Sequence, residues 1–277
     1  MDIADLIESS AAMPDTERRP HFDRPPVIEV VCGVQFEALD GWQTPHYGQF
    51  GRLIAEEYPE FEDRSPLPTL RLEPAPGAQP QVFPLPPLRR VFFVKPPGNF
   101  LIQVQENRFL HNWRKVKDED EYPRYNAAYD RFVRYWQKFR QFLTDVRLPE
   151  PRPEMFELTY INHIMAEGAT FPRDVWTFLG FYAKSPEATT AMEASGMMMH
   201  FMWPLPKGMG NLTLDVKHGN RVTDQKDVLL MELTARGKAP EDAARMEEWF
   251  DVAHDAIVNT FDQLTTKHAH QIWGKHE

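Results

Sequence analysis

The chain has 277 residues, of which 42% are hydrophobic and 12% aromatic, and its formal net charge at pH 7 is -10. This composition excludes an intrinsically disordered chain, and the charge excludes wholesale binding to nucleic acid or anionic membrane, because the summed field repels polyanions outside local basic patches. The single cysteine, Cys32, cannot form an internal disulfide, and no apolar run approaches the ~18 residues of a membrane span. We therefore predict a globular, cytoplasmic protein without membrane contact.

The chain begins with a leader, a strand and a helix. Residues 1–24 are charged and interrupted by proline, so we predict that they are poorly ordered. Residues 27–39 are rich in β-branched side chains, which predicts a strand with Gly33 as a candidate bulge. A helix is then predicted, with Thr44 as its N-cap and Pro59 as its stop.

Prolines dominate the next stretch, where eleven occur in the 39 residues of 59–97. Proline has no backbone N–H to donate and clashes inside helices, so this density predicts edge strands and extended crossings. The stretch is either a binding loop or a connection wrapped over the surface, and the sequence leaves both open.

The centre of the chain predicts a β-hairpin followed by a long helix. Side chains alternate in polarity over 100–105 and again over 108–114, and Glu106-Asn107 breaks the run. After Pro123 the apolar spacing changes to four and three residues, which is typical of an amphipathic helix. Its predicted buried stripe comprises Tyr125, Tyr129, Phe132, Trp136, Phe139, Leu143 and Val146.

The second half shows a similar order of elements after a boundary at Pro149, Pro151 and Pro153. Strands are predicted over 155–165, 175–183, 191–203, 211–217 and 228–234, with a turn at 218–220. Pro240 then opens a second helix. Its predicted stripe comprises Met246, Phe250, Ala253, Ile257, Phe261 and Leu264.

These patterns predict an α+β fold with antiparallel sheet built from two related halves. Each half is a β-hairpin followed by a long amphipathic helix, which buries its apolar stripe on the sheet. After the leader, the halves span 25–149 and 150–277, packed together as one globular unit.

Four sequence blocks carry a family resemblance. They are RPPVIEVVCGVQFEAL at 24–39, IQVQENRFLHNWRK at 102–115, PRY at 123–125, and WFDVAHDAIVNTFDQLTT…IWG at 249–274. In this order the blocks resemble a sporadically distributed family of bacterial proteins of uncharacterised function. The resemblance implies a bacterial, cytoplasmic protein with the patchy occurrence typical of defence-associated genes, and it carries over no active site.

The two predicted long helices have opposite charge. Six basic against two acidic residues give 123–147 a net charge of +4, and seven acidic against one basic give 240–264 a net charge of -6. On the first helix, a basic arc of about 80° at 100° per residue comprises Arg124, Arg131, Arg134 and Lys138. Three interpretations stay open. The charged sides of both helices are simply solvated, or the basic side binds an acidic protein or nucleic-acid partner, or the basic helix of one subunit meets the acidic helix of another in a homo-oligomer.

The polar side of the hairpin is a second candidate contact surface. Its residues are Gln103, Gln105, Arg108, Asn112 and Arg114. Around Trp113, an amide and a guanidinium could hold the polar edge of a stacked ring, whereas a strand tryptophan is ordinarily part of the core.

No motif predicts a catalytic centre, a cofactor or a metal. The sequence has no HExxH, CxxC or GxSxG motif and no phosphate-binding glycine loop. The acid–base candidates are Glu157, His163 and His111, and nothing in the pattern selects them.

Two further clusters suit structural roles better than metal binding. Six methionines between 192 and 209, with His200 among them, fit core or an adaptable pocket better than Cu(I). A polar tail explains His268, His270 and His276 better than a metal site does.

We therefore predict a non-catalytic binding protein that engages an acidic partner through the basic helix and the polar side of the hairpin. The alternative is a small-molecule or enzymatic site, in a pocket of the curved sheet near the methionine-rich strand.

Overall fold

A computed structural model describes residues 19–72, 88–165, 168, 170–181, 194–221, 224–240 and 245–276. Within them, nine strands form one antiparallel sheet. The strands are β1 Val27–Phe36, β2 Glu60–Arg64, β3 Arg90–Lys95, β4 Phe100–Gln105, β5 Arg108–Arg114, β6 Pro153–Met165, β7 Met198–Pro204, β8 Asn211–Asn220 and β9 Asp227–Lys238. The α-helices are α1 Thr44–Ile54, α2 Arg124–Asp145, α3 Met246–Leu264 and α4 Lys267–Trp273. The predicted α+β fold with an antiparallel sheet is confirmed.

The two central strands of the sheet come from different halves of the chain. The order is β2-β3-β4-β5-β1-β6-β9-β8-β7, and β1 pairs with β6 from Val27 opposite Asn162 to Phe36 opposite Pro153. We call this pairing of β1 with β6 the seam. On either side of it, the first strand of a half pairs with the last strand of the same half. Two related halves would produce this order, and their relationship stays a prediction.

Both long helices lie on the same face of the sheet. Helix α2 packs on β5 and β1, while α3 packs on β9, β6 and β8. Most residues of the predicted stripes are buried, whereas Tyr129, Val146, Met246 and Leu264 are half-buried. Sheet and helices each hide their apolar side in this way, and every large side chain fully buried contributes about 1.5–3 kcal/mol. The helices also touch each other, since the rings of Phe132 and Phe250 lie 5.2 Å apart.

The opposite face of the sheet is partly covered by the proline-rich stretch. The backbone N–H of Leu67 donates to Gln105 Oε1 over 2.8 Å, and that of Leu70 donates to Gln35 Oε1 over 2.6 Å. Farther along, the carbonyl of Leu72 accepts from the side chain of Asn211 on β8. Residues 67–72 are therefore a wrapped connection, whereas 73–87 lie outside the described residues.

Two predictions of local structure in the second half are wrong. Residues 175–177 form a 3-10 helix, and nearby Leu179 makes a single β-bridge with Thr265, so no strand runs from 175 to 181. The predicted turn at 218–220 lies inside β8, because these residues pair with 227–229 of β9. His218 supports that pairing with a bond of 2.5 Å from Nε2 to Asp227 Oδ1.

Element ends also differ from the predictions. Helix α1 begins at Thr44 itself, since Gln43 and His46 form the capping box. Strand β7 covers only the end of the predicted 191–203 segment, and α3 begins at Met246, with 241–244 outside the described residues. No bulge occurs at Gly33, where a Cβ would overlap the side chain of Leu110 on β5.

The predicted leader falls only in part within the described residues, which begin at residue 19. Phe22 is buried, and it forms an antiparallel bridge with Lys275. Among the described helices, none is long and apolar enough to cross a membrane.

Candidate functional site

A cavity of about 290 Å³ lies over the seam of the sheet, between the two long helices. Val27 of β1, Tyr160 of β6 and Leu233 of β9 line it from the sheet, and Tyr125 of α2 and His254 of α3 line it from the helices. We call it the seam cavity. Its lining combines five phenylalanine and tyrosine rings with several polar side chains, a mixture that small-molecule sites use for packing and orientation.

Two tyrosines place a hydroxyl pair in this lining. The hydroxyl oxygens of Tyr122 and Tyr160 are 2.9 Å apart. Burial raises the pKa of both phenols, so both stay protonated at neutral pH. One proton serves the bond between them, and the other remains available to an acceptor.

Two residues of the lining also carry an enclosed polar atom that has no hydrogen-bond partner among the described residues. The two atoms are the Tyr125 hydroxyl and His254 Nδ1, whose side chains are only 4% and 8% exposed. Their rings stack with centroids 3.8 Å apart. Burial, helped by the charge of Arg19, lowers the pKa of His254 to about 3, so the imidazole is neutral and offers one donor and one acceptor nitrogen.

The cations beside the cavity are committed to other groups. Arg19 pairs with Asp255 of α3, and Arg124 Nη1 donates to the Phe22 carbonyl over 2.9 Å. A larger, polar cleft of about 990 Å³ adjoins the cavity and shares Tyr122 and Arg124 with it. A ligand in the seam cavity would therefore meet hydroxyl, amide and imidazole groups, with Arg124 as the one arginine of the lining that has no carboxylate partner among the described residues.

The predicted polar surface of the hairpin is buried instead of open. Gln103 accepts from Arg90 and donates to Asn112, both over 2.8 Å, and Asn112 donates to Glu29 over 2.5 Å. This chain of hydrogen bonds crosses four neighbouring strands. Gln103 and Asn112 are 6% and 2% exposed, so they hold the sheet together and present no open contact surface.

The other hairpin residues are also engaged within the chain. Gln105 binds the backbone of Leu67, and Arg108 donates to the Pro68 carbonyl over 2.8 Å; both side chains are buried. Arg114 is half-buried and donates to the Gly98 carbonyl over 2.8 Å. The sequence could not show this, because the segment that covers these side chains is distant along the chain.

The basic helix α2 has basic side chains grouped around the carboxylate of Glu57, and some of them are exposed. Glu57 lies 3.2 Å from Lys95, 3.3 Å from Arg131 and 3.7 Å from Arg134. The Tyr135 hydroxyl, and then Lys95 and Arg131, lower the pKa of Glu57 to about 2. Arg134 is exposed, as are two other residues of the predicted arc, Lys138 and Arg124.

Carboxylates of the acidic helix α3 form ion pairs with cations of the same chain. Asp255 binds Arg19, and Glu248 lies 3.2 Å from Arg245 and 3.4 Å from Lys207. This pairing leaves fewer free carboxylates for a basic helix of a second copy. The homo-oligomer contact stays a prediction.

The acid–base candidates do not form a common site. His111 Nε2 lies 3.0 Å from the Tyr58 hydroxyl inside the core, and burial lowers the pKa of His111 to about 3. Glu157 pairs with Arg236 over 2.5 Å on the opposite face of the sheet. His163 lies near the far end of β6.

The structure separates the members of the methionine cluster and of the C-terminal histidine cluster into different environments. Met198 and Met202 are exposed on β7, and His200 between them binds Asp215. Within the described part of the chain, His276 is the one C-terminal histidine in a cluster that could hold a metal ion, together with His21 and Asp23. Met192 lies outside the described residues.

Sequence reasoning missed the tyrosines of the seam cavity because they lie on regular apolar stripes. Tyr125 begins the helical spacing of α2 and Tyr160 alternates with polar residues along β6, so periodicity indicates only packing. His254 gave the one signal, as an imidazole within the apolar face of α3.

The chain matches no protein-family model, no curated protein and no solved structure. The resemblance to a bacterial family stays a prediction. The site is therefore assigned from its own geometry.

Proposed function

We propose that the protein binds a small, uncharged and mostly apolar molecule in the seam cavity. The observation that carries this proposal is a cavity of about 290 Å³ whose lining includes the hydroxyl pair of Tyr122 and Tyr160, one proton of which is left for an acceptor. The Tyr125 hydroxyl and His254 Nδ1 are enclosed behind this lining and have no partner among the described residues.

The lining limits the chemistry of the ligand. Aromatic walls from Phe22, Tyr122 and Phe261 favour a flat, ring-containing molecule. Arg19 is paired with Asp255, and one donor of Arg124 is taken by the Phe22 carbonyl, so the lining offers a ligand more neutral than charged polar groups. The neutral imidazole and the phenols instead suit one or two hydroxyl, carbonyl or ring N–H groups.

Filling the cavity with a side chain tests this proposal. Val258 lines the cavity from α3 and is half-buried, so Val258→Trp occupies the space without entering the core. Asn259→Trp, at the next residue and outside the lining, is the matched control. Saturation-transfer NMR with phenol and indole as probes should show saturable binding to the wild type and the control, and a loss in Val258→Trp.

Two outcomes would remove the proposal. One is that neither probe binds the wild type. The other is that Val258→Trp binds the probes as the wild type does, which would place them elsewhere on the protein.

A second candidate function is the binding of an acidic protein segment on the basic face, defined as Lys95, Arg131, Arg134 and Lys138. The specific observation is that three of these cations, Lys95, Arg131 and Arg134, surround a single carboxylate, that of Glu57, and that Lys138 lies over the ring of the adjacent Tyr135. Arg131 is fixed further by its position 4.5 Å from the centre of the Phe100 ring. An acidic segment would find a preformed local excess of positive charge despite the net charge of the chain.

Charge reversal at the exposed positions tests this second function. Arg134→Glu with Lys138→Glu should abolish salt-dependent binding of a fluorescent Asp/Glu-rich peptide, measured by anisotropy. Arg140→Glu, on the same helix but paired with Glu150, is the control and should retain binding. No binding by the wild type, or preference for a single-stranded oligonucleotide of equal charge, would contradict an acidic protein partner.

A further inference from the structure

Residues 21–24 and 273–276 form a short antiparallel contact. The N–H of Asp23 donates to the Gly274 carbonyl over 3.0 Å, and that of His276 donates to the His21 carbonyl over 2.8 Å. Phe22 between them is buried against Phe261 and Trp273. The backbone of both segments is therefore fixed before any ligand arrives.

Three side chains converge on this contact. His276 Nε2 lies 2.6 Å from Asp23 Oδ1, and the rings of His21 and His276 are 4.6 Å apart. One ligand atom from each residue falls within 4.8 Å of the other two. Gly274 makes room for the cluster, since it has φ 66° and a Cβ there would lie 2.9 Å from Asp23 Oδ2.

We propose that His21, Asp23 and His276 bind a divalent transition-metal ion, with zinc as the best fit. Two imidazoles and one carboxylate are borderline ligands that suit Zn²⁺ better than Mg²⁺ or Ca²⁺, which prefer oxygen alone. All three side chains are exposed, so water can complete a tetrahedral shell. The hydrogen bond between Asp23 and His276 would be replaced by bonds from both residues to the metal.

The charges around the cluster set its strength. Partial burial and the charge of Arg124 lower the pKa of His21, and the hydrogen bond from His276 lowers the pKa of Asp23. The nearby Arg124 also opposes a cation, so we expect a site of modest affinity.

The consequence of binding would be a clamp between two segments distant in the chain. The ion would fasten 21–24 to 273–276, and His21 and Phe22 also line the seam cavity. A folded protein that binds metal only when these segments are paired gains stability in proportion to metal saturation. This site does not depend on a ligand in the seam cavity.

Zinc titration of the chelator-treated protein tests the proposal. Calorimetry should show one saturable Zn²⁺ site in the wild type, and zinc should raise the temperature of thermal unfolding. Asp23→Asn keeps a hydrogen-bonding side chain but removes the carboxylate, and we expect it to weaken binding by about tenfold or more. His276→Gln should do the same, whereas His268→Gln, an exposed histidine outside the cluster, should leave binding unchanged.

The result that overturns the site is no saturable zinc binding by the wild type, or equal binding by the two cluster variants and the wild type. Because the cluster is exposed, the variants should keep the wild-type circular dichroism spectrum. Val258→Trp should still bind zinc, which separates this test from that of the seam cavity.

Discussion

At the scale of single residues, two histidines are enclosed as neutral rings. His111 is 1% exposed, and its ring stands parallel to that of Tyr135. Burial, followed by the charge of Arg131, lowers its pKa to about 3. The pKa of His254 is lowered by burial to about 3 as well. The folded protein therefore resists protonation at both rings.

We expect the free energy of unfolding to fall as the pH drops from about 6.5 toward 3. In that range the unfolded chain takes up a proton at each of these histidines and the folded chain does not. Each contributes a slope of up to about 1.4 kcal/mol per pH unit. His111→Phe removes one titrating group, so urea denaturation at about pH 7 and about pH 5 should show a smaller loss than in the wild type.

Exposed His268 gives the control for this measurement, because His268→Gln should keep the pH dependence of the wild type. The loss of the Tyr58 partner lowers the stability of His111→Phe by the same amount at both pH values. Equal losses in wild type and His111→Phe would show that His111 does not stay neutral in the fold.

At the scale of elements, a close contact between helix α3 and strand β9 depends on a glycine. Trp249 Nε1 donates to the Met209 carbonyl over 3.0 Å. Gly237 of β9 passes beside both groups, and a Cβ on it would overlap the Met209 carbonyl and the indole nitrogen. The helix can approach the strand this closely only because the side chain is missing.

Gly237→Ala should therefore lower the free energy of unfolding by about 1–3 kcal/mol, the usual cost of overpacking. Gly219→Ala on β8 is the matched control, since nothing lies within 4 Å of its added Cβ, and its stability should stay within about 0.5 kcal/mol of the wild type. Thermal unfolding followed by circular dichroism compares them. A Gly237→Ala protein as stable as Gly219→Ala would show that the helix can shift without cost.

The elements that could be predicted from the sequence are those with a strong local period. The hairpin of β4 and β5 and the stripes of α2 and α3 follow from spacing alone, because each buries one side. The role of the polar side chains could not be predicted in the same way. Gln103 and Arg108 lie on the side opposite the helices, and whether that side is open depends on neighbouring strands and on the distant segment 67–72.

At the scale of the whole molecule, the seam joins what the sequence shows as two halves. Tyr125 comes from the first half and His254 from the second, yet their rings stack over the paired strands β1 and β6. Neither half contains the seam cavity by itself. The proposed site therefore could not be predicted from the pattern of either half, because it depends on long-range pairing.

The same pairing predicts that the halves unfold as one unit. Val34 of β1 is fully buried at the seam, and Val34→Ala should lower the free energy of unfolding by about 2 kcal/mol. Hydrogen exchange measures where that loss appears. If the sheet is one cooperative unit, slow amides in β8 and β9 should lose as much protection as those in β4 and β5, because all of them exchange through the same global opening.

Leu53→Ala, at an exposed position of α1, should leave protection unchanged in both halves and serves as the control. Loss of protection confined to β2–β5 would mean that the second half stays folded when the first opens. The hydrogen bonding between β1 and β6 makes that outcome costly, since opening the first half would expose to water the edge of β6 that pairs with nine residues of β1. Cooperative loss would also mean that ligand binding at the seam stabilises both halves at once.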